Sequence, residues 1–399
     1  MRILFITDRY PPYYDGGYEL NCEITADCLQ QKGHEVFVLT SDYGLVSPIR
    51  KLNIYRLLHC LNKQTKGGLT RRVAEIKNAI LSRKNFFITK RVLKDLKPDL
   101  VYIWRMGNIS IFPIVAVQKL DFPVVYELGD FWLIEYQVDL NDKSFIKRCY
   151  RYFVHGGFAF KKLKFDNLIT VSSSLKSSYS QNGFSKERIS VIPRGIPECF
   201  ISQAKIPLAG ILDKQEIRLL YAGRIVPEKG AHIAVDALSL IASKFASKKI
   251  SLDIIGTGPD DYINELKEMI DSLGLKNRVR MIASMPRGDL LEIYDKYDVM
   301  LVPAIWEEPF GNTVIESMAR NLPVIASRVG GFPEMIVDGV NGLLVCPNDS
   351  KALADSVSKL ILNDELYQNI KQGGLKTILS NYRQDLITRQ IENHLLKSI

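Results

Sequence analysis

Strand and helix signals alternate along both halves of this 399-residue chain, and no other feature restricts its fold so tightly. In the second half, apolar stretches at 217–222, 250–255, 279–282, 298–302, 323–326 and 342–345 read as strands. Helical segments separate them, most clearly over 229–245 and 259–273. Runs such as Val299-Met300-Leu301-Val302 are apolar at every position, which suits parallel strands covered on both faces. The first half repeats the grammar, with strands at 3–6, 36–39, 100–103, 124–126, 168–171 and 189–192 and a helix over 19–31. The expected class is α/β: two doubly wound Rossmann-like domains facing each other across a cleft. Pro207, Gly210 and polar neighbours break the pattern around 202–216, so the domains are set at 1–205 and 206–382. The last helical stretch, about 383–399, is left free to pack back on the first domain.

Composition narrows the class further. Apolar residues make up 46% and charged residues 24%, ordinary for a globular protein. The apolar run at the N-terminus is too brief for a signal peptide, and no run long enough to span a membrane occurs. Six scattered cysteines without a C-x-x-C pair read as reduced thiols, which points to the cytoplasm and away from a zinc site. The net charge of +9 is concentrated: residues 50–97 hold fourteen Lys/Arg against Glu75 and Asp95, so the rest of the chain is negative. A second basic run, 143–164, holds seven Lys/Arg and no acid. Such asymmetry marks a face that meets an anionic surface, or a merely solvated one. Nucleic acid is not the expected partner, because no aromatic platforms or binding motif accompany the charge.

Ligands of doubly wound sheets bind beyond the carboxyl ends of the strands. After the strand at 298–302 comes Glu308-Pro309-Phe310-Gly311-Asn312-Thr313-Val314-Ile315-Glu316, two carboxylates flanking a helix start. A helix start attracts phosphate, so acids on either side suit a ligand bearing both phosphate and hydroxyls. Glu316 is expected in the first helical turn, where Thr313-x-x-Glu316 also matches a capping box. After the strand at 217–222, Gly223-Arg224 and Lys229-Gly230 bracket a proline turn, and two cations at a helix start suit a diphosphate. Gly16-Gly17, opening the first helix, is either a phosphate-approach loop or a plain turn. Gly256-x-Gly258 is another close-approach loop. Neither is the G-x-G-x-x-G of a dinucleotide site, which excludes an NAD-dependent enzyme.

With these motifs in this order, nearly the whole chain resembles a retaining glycosyltransferase of the GT-B fold, glycosyltransferase family 4. Gly330-Gly331-x-Pro333-Glu334 and Asp338-Gly339-x-Asn341-Gly342 add to the match. The resemblance implies a hexosyltransferase moving a sugar from a UDP- or GDP-linked donor to a glycan, lipid-linked or small-molecule hydroxyl. It implies that Arg224 and Lys229 hold the donor diphosphate, Glu308 contacts the sugar, Phe310, Gly311, Asn312 and Thr313 meet sugar and phosphate, and Glu316 binds the ribose hydroxyls. Gly16, Gly17, Gly223 and Gly256 would lie close to the donor, and the backbone near Met285 close to the base. The chain has no Asp-x-Asp, so Arg224 and Lys229 are expected to replace a metal ion, with no cofactor. Gly129 stands where the family often carries a histidine, leaving Asp130 or Glu127 as its substitute. A sugar-nucleotide epimerase, or a binding protein that has lost catalysis, is the alternative; a phosphorylase would need a pyridoxal-phosphate lysine motif, and none is visible.

In that family the first domain takes the acceptor. Here it carries the basic segment 50–97, in which apolar and basic residues are interspersed. The expectation is a cytoplasmic protein, peripheral on an anionic membrane leaflet.

Overall fold

The structure, a computed structural model, describes residues 1–14, 16–44, 53–61, 69–140, 157–201 and 210–399. Asp15, residues 50–52 and 62–68 of the first basic segment, 143–156 of the second and 202–209 of the linker lie outside them. Two compact units divide the chain: Met1–Pro193 with Thr388–Ile399, and Arg194–Ile387.

The first unit is built on seven parallel strands: β1 (Arg2–Ile6), β2 (Glu35–Ser41), β3 (Ile54–Leu58), β4 (Leu100–Ile103), β5 (Val124–Leu128), β6 (Leu168–Thr170) and β7 (Ile189–Val191), in the order β3-β2-β1-β4-β5-β6-β7. Ile3, Leu4, Phe5 and Ile6 of β1 and all of β4 are fully buried, as strands covered by helices on both faces must be. β3 escapes the sequence pattern: it is a half-exposed edge strand whose Arg56 donates to the Tyr10 carbonyl at 3.1 Å.

The second unit holds six parallel strands: β8 (Glu216–Ala222), β9 (Lys249–Ile255), β10 (Val279–Ile282), β11 (Val299–Val302), β12 (Val324–Ser327) and β13 (Leu343–Val345), in the order β10-β9-β8-β11-β12-β13. Leu219, Leu252, Ile254, Val299, Leu301 and Ile325 form its centre. In each sheet the winding reverses once, between β1 and β4 and between β8 and β11. Loops leaving the two strands at a reversal diverge and open a crevice.

The helix expected from 229 starts later. Pro227–Lys229 is a single 3-10 turn, Gly230 takes a left-handed conformation (φ 74°), and the helix proper is Ala231–Lys244. Arg194, just after β7, is buried.

The long helix Leu69–Leu96 buries polar side chains beside the apolar Val92 and Leu93. Asn78, Ser82, Asn85 and Thr89 are buried, while Ile76, Ile80 and Phe87 are exposed on a face shared with Arg83, Lys84, Arg91 and Lys94. The inward polarity has a structural use: Asn85 accepts from His59 N at 2.7 Å and donates to the carbonyls of His59 and Ile109, both at 3.0 Å.

The terminal helix Gln384–Leu396 is held by the first unit from Thr388 onward. Ile391 and Leu395 are buried, Glu392 pairs with Lys32 at 2.6 Å and His34 at 2.9 Å, and His394 bonds Asn167 at 2.6 Å. Truncating a buried leucine costs about 2–5 kcal/mol through lost transfer energy and the cavity left behind. Leu395→Ala is therefore expected to lower the unfolding free energy measured by urea denaturation of the full chain by an amount in that range; a loss below about 1 kcal/mol would show that the helix is not packed.

Candidate active site

Of the sequence-derived residues, Gly16, Gly17, Glu127 and Asp130 lie in the first unit and the rest in the second. In the second unit the site grows from the reversal between β8 and β11, which pair through Val299 opposite Leu219 and Met300 opposite Leu220. Lys229 leaves β8 and Glu308 leaves β11, so residues far apart in sequence emerge together. The Lys229 ammonium and the Glu308 carboxylate are in direct ion-paired contact. Trp306, which the sequence reading did not single out, donates its Nε1–H to the same Glu308 oxygen at 2.8 Å and places its ring 5.1 Å from the ammonium. A cation over an indole face is attracted by the ring's quadrupole.

The backbone fixes this group. Ile305 N donates to the Glu228 carbonyl at 2.9 Å, tying the two loops directly. A Cβ on Gly230 would lie 1.9 Å from the Pro303 carbonyl oxygen, so only glycine permits that approach. On the far side, Gly331 N donates to the Glu308 carbonyl at 2.8 Å, and a Cβ on Gly330 would lie 2.1 Å from the same oxygen. Gly223 and Gly256 stack their loops similarly: Gly223 N donates to Ile255 O at 3.0 Å and Ile225 N to Thr257 O at 2.8 Å. Arg224 is exposed beside them, its carbonyl accepting the Tyr221 hydroxyl at 2.8 Å.

The helix after Glu308 is Asn312–Ala319, with Gly311 at φ 107° preceding it and no side-chain cap. The capping-box reading is thereby corrected. Thr313 sits inside the helix and reaches the Ala222 carbonyl at 3.4 Å, and Glu316 falls in the second turn rather than the first. Glu316 is buried and accepts from Arg287 Nε at 2.8 Å, with the Tyr294 hydroxyl 3.4 Å from its other oxygen. The Phe310 side chain packs into the core against Tyr382, leaving its backbone to face the loop. Met285 is half-buried in the loop that leads from β10 to Arg287.

In the first unit, the turn after β5 is clamped. Tyr18, directly after Gly16 and Gly17, donates to the Glu127 carbonyl at 2.6 Å and lies 3.3 Å from Gly129 N as its acceptor. The Glu127 carboxylate points inward, where the Tyr102 hydroxyl donates to it at 2.7 Å, so Glu127 is no substitute for a histidine at the turn. Asp130 accepts from Trp132 N at 3.0 Å and faces Arg105 Nε at 3.3 Å. Two further acids surround that arginine. Glu19 lies 3.8 Å from Arg105 Nη1, and the buried Asp8 accepts from Asn108 N at 3.0 Å and Nδ2 at 2.7 Å. Both Asp8 and Glu19 stand directly at strand-end or helix-start positions, the one signal by which sequence could have found them.

Burial raises the pKa of Asp8 and Glu19 above the ordinary carboxylate range, and Arg105 only partly offsets it. A raised folded-state pKa means that the folded protein holds its proton more tightly than the unfolded chain. The associated stability is complete below the ordinary value and lost as pH rises through the folded one. Glu19→Gln removes that loss. Relative to the parent protein, the variant is expected to gain stability between pH 4 and pH 8, measured by thermal melts; an unchanged difference across the range would refute the assignment.

Comparisons with known proteins agree with this arrangement. Residues 16–198 match the family model for Glycosyltransferase Family 4, and residues 203–377 match that for Glycosyl transferases group 1. An uncharacterized glycosyltransferase of Methanocaldococcus jannaschii is 30% identical, covering 94% of this chain and 92% of its own length. The capsular polysaccharide biosynthesis glycosyltransferase CapM of Staphylococcus aureus is 29% identical over 57% of this chain and 60% of its own. The structure of Anabaena HepE in complex with UDP and glucose superposes with a TM-score of 0.72 over the full length of both chains at 22% identity. The fold is that of GT-B enzymes, and the chain belongs to glycosyltransferase family 4.

Proposed function

We propose that this glycosyltransferase moves a hexose-type sugar from a nucleoside-diphosphate sugar to a hydroxyl of a glycan or lipid-linked acceptor, with retention and without a metal ion. The observation that carries the reading is the Lys229–Glu308–Trp306 group at the crevice between β8 and β11. Breaking an anomeric C–O bond builds negative charge on the departing diphosphate and positive charge on the sugar ring. Lys229, Arg224 and the start of the Ala231–Lys244 helix supply fixed positive potential for the diphosphate. Glu308, held by Trp306 and by the backbone at Gly331, offers a carboxylate to the sugar. In the family mechanism a donor phosphate oxygen takes the acceptor proton on the front face, so no protein nucleophile is required. Arg224 and Lys229 take the place of a metal in this scheme. Nucleotide-sugar use is supported by the UDP and glucose bound in the HepE structure.

Incubation with UDP-, GDP- and ADP-linked hexoses in EDTA is expected to release nucleoside diphosphate. Removing one preorganised electrostatic group costs about 10²–10³ in rate, so Arg224→Ala and Glu308→Gln should each lower release by about a hundredfold while retaining the parent's circular dichroism. Undiminished release by both variants would refute the site, and dependence on added Mg²⁺ would refute the metal-free scheme.

The acceptor side carries a second element of the proposal: the protein docks peripherally on an anionic bilayer through the Leu69–Leu96 helix. Ile76, Ile80 and Phe87 are exposed there among basic side chains, the pattern of an interfacial helix. No helix among the described residues is long and apolar enough to cross a membrane. Each cation near an anionic surface contributes about 1 kcal/mol. The protein is expected to sediment with phosphatidylglycerol vesicles at low salt, and an Ile80→Glu, Phe87→Glu double variant to stay in solution. Equal sedimentation of the two would remove the helix from the account.

A further inference from the structure

Arg287 has no part in the donor scheme so far, yet it lies against one of its members. Its Nε donates to Glu316 at 2.8 Å, and its guanidinium carbon sits 5.3 Å from the Phe200 ring centroid. Only 13% of the side chain is exposed. The two terminal amino groups, Nη1 and Nη2, are screened from solvent and meet no protein acceptor. An arginine offers five N–H donors in a rigid fork, and leaving buried ones unused is costly. The stack on Phe200 offsets part of that cost without supplying an acceptor. Four donors therefore converge beside a carboxylate with nothing in the protein to receive them.

The position of the fork along the sheet indicates what it meets. The diphosphate group at Lys229 belongs to β8 and β11, at the middle of the sheet, whereas Arg287 follows β10 at its edge. Neighbouring strands are roughly 4.8 Å apart, so β10 lies about 10 Å from β8. That offset matches the reach from a diphosphate to the base of its nucleoside. With ribose hydroxyls on Glu316, the base acceptor nearest the 2′-hydroxyl is the 2-oxo group of a pyrimidine or N3 of a purine. The 2-oxo group has two lone pairs for a fork of donors. Guanine places an amino donor beside N3, which would face the guanidinium donor to donor.

We propose that Arg287 reads the nucleoside: Nε holds Glu316 in place as the acceptor of the ribose hydroxyls, while Nη1 and Nη2 bind the 2-oxo group of a pyrimidine, selecting uridine over guanosine diphosphate. This rests on the nucleotide-sugar reading and specifies its base.

Calorimetric titration of UDP, GDP and inorganic pyrophosphate into the full chain and its Arg287→Met and Arg287→Lys variants tests it. The parent protein should bind UDP at least about tenfold more tightly than GDP, and Arg287→Met should weaken UDP by about tenfold or more, as expected for a charged hydrogen bond lost. Pyrophosphate, which reaches only Arg224 and Lys229, should bind all three proteins within twofold. Arg287→Lys should behave like the methionine variant, because an ammonium cannot hold Glu316 and reach the base together. Tighter GDP than UDP binding in the parent overturns the proposal. So does UDP affinity within twofold of the parent in Arg287→Met, and so does an equal loss of UDP and pyrophosphate, which marks a structural role. A parent protein that binds none of the three overturns the donor site itself, and this inference with it; a neutral Arg287→Met in a protein that binds UDP overturns this inference alone.

Discussion

Adjacent β8 and β11 are the constraint on which the second unit's site depends. The strands are neighbours in space but separated in sequence by two intervening strands and their helices. Their loops leave from the same end of adjacent parallel strands, so a cation from one and a carboxylate from the other meet without either loop being long. Glycine at 230 and 330 lets the flanking backbones close to within hydrogen-bonding range of the same turn. The resulting group is rigid because the sheet below it is rigid, and preorganised charge is what electrostatic stabilisation of a leaving group requires.

The two units treat buried charge differently. In the second, Lys229 with Glu308 and Arg287 with Glu316 match one cation to one acid. In the first, Asp8, Glu19 and Asp130 crowd around Arg105, and burial leaves the first two hard to ionise. A crowded acid cluster stores protons and makes its surroundings respond to pH.

Much of this was legible in the chain. Apolar runs located twelve of the thirteen strands because strands covered on both faces leave little room for polar residues. β3 was missed because Arg56 interrupts its short apolar run, as a half-exposed edge strand permits. The glutamates, the cation turn and the glycine loops were visible because strand-end positions are readable once strands are placed. Pairings across the sheet were not. Nothing local in Arg287 or Trp306 indicates that they reach Glu316 and Glu308, since strand order alone decides it. The supposed capping box failed for a similar reason: a left-handed Gly311 takes the cap position, two residues ahead of Thr313.

The Leu69–Leu96 helix separates two duties that most amphipathic helices combine. Its inward Asn85 anchors the backbone of His59 and Ile109, and Val92 and Leu93 are buried, while Ile76, Ile80 and Phe87 are exposed. The outward residues are thereby released from structural selection. Substitution there can retune how strongly the acceptor-side unit adheres to its surroundings while folding is left intact, and relatives built on this scaffold are free to diverge along that face first.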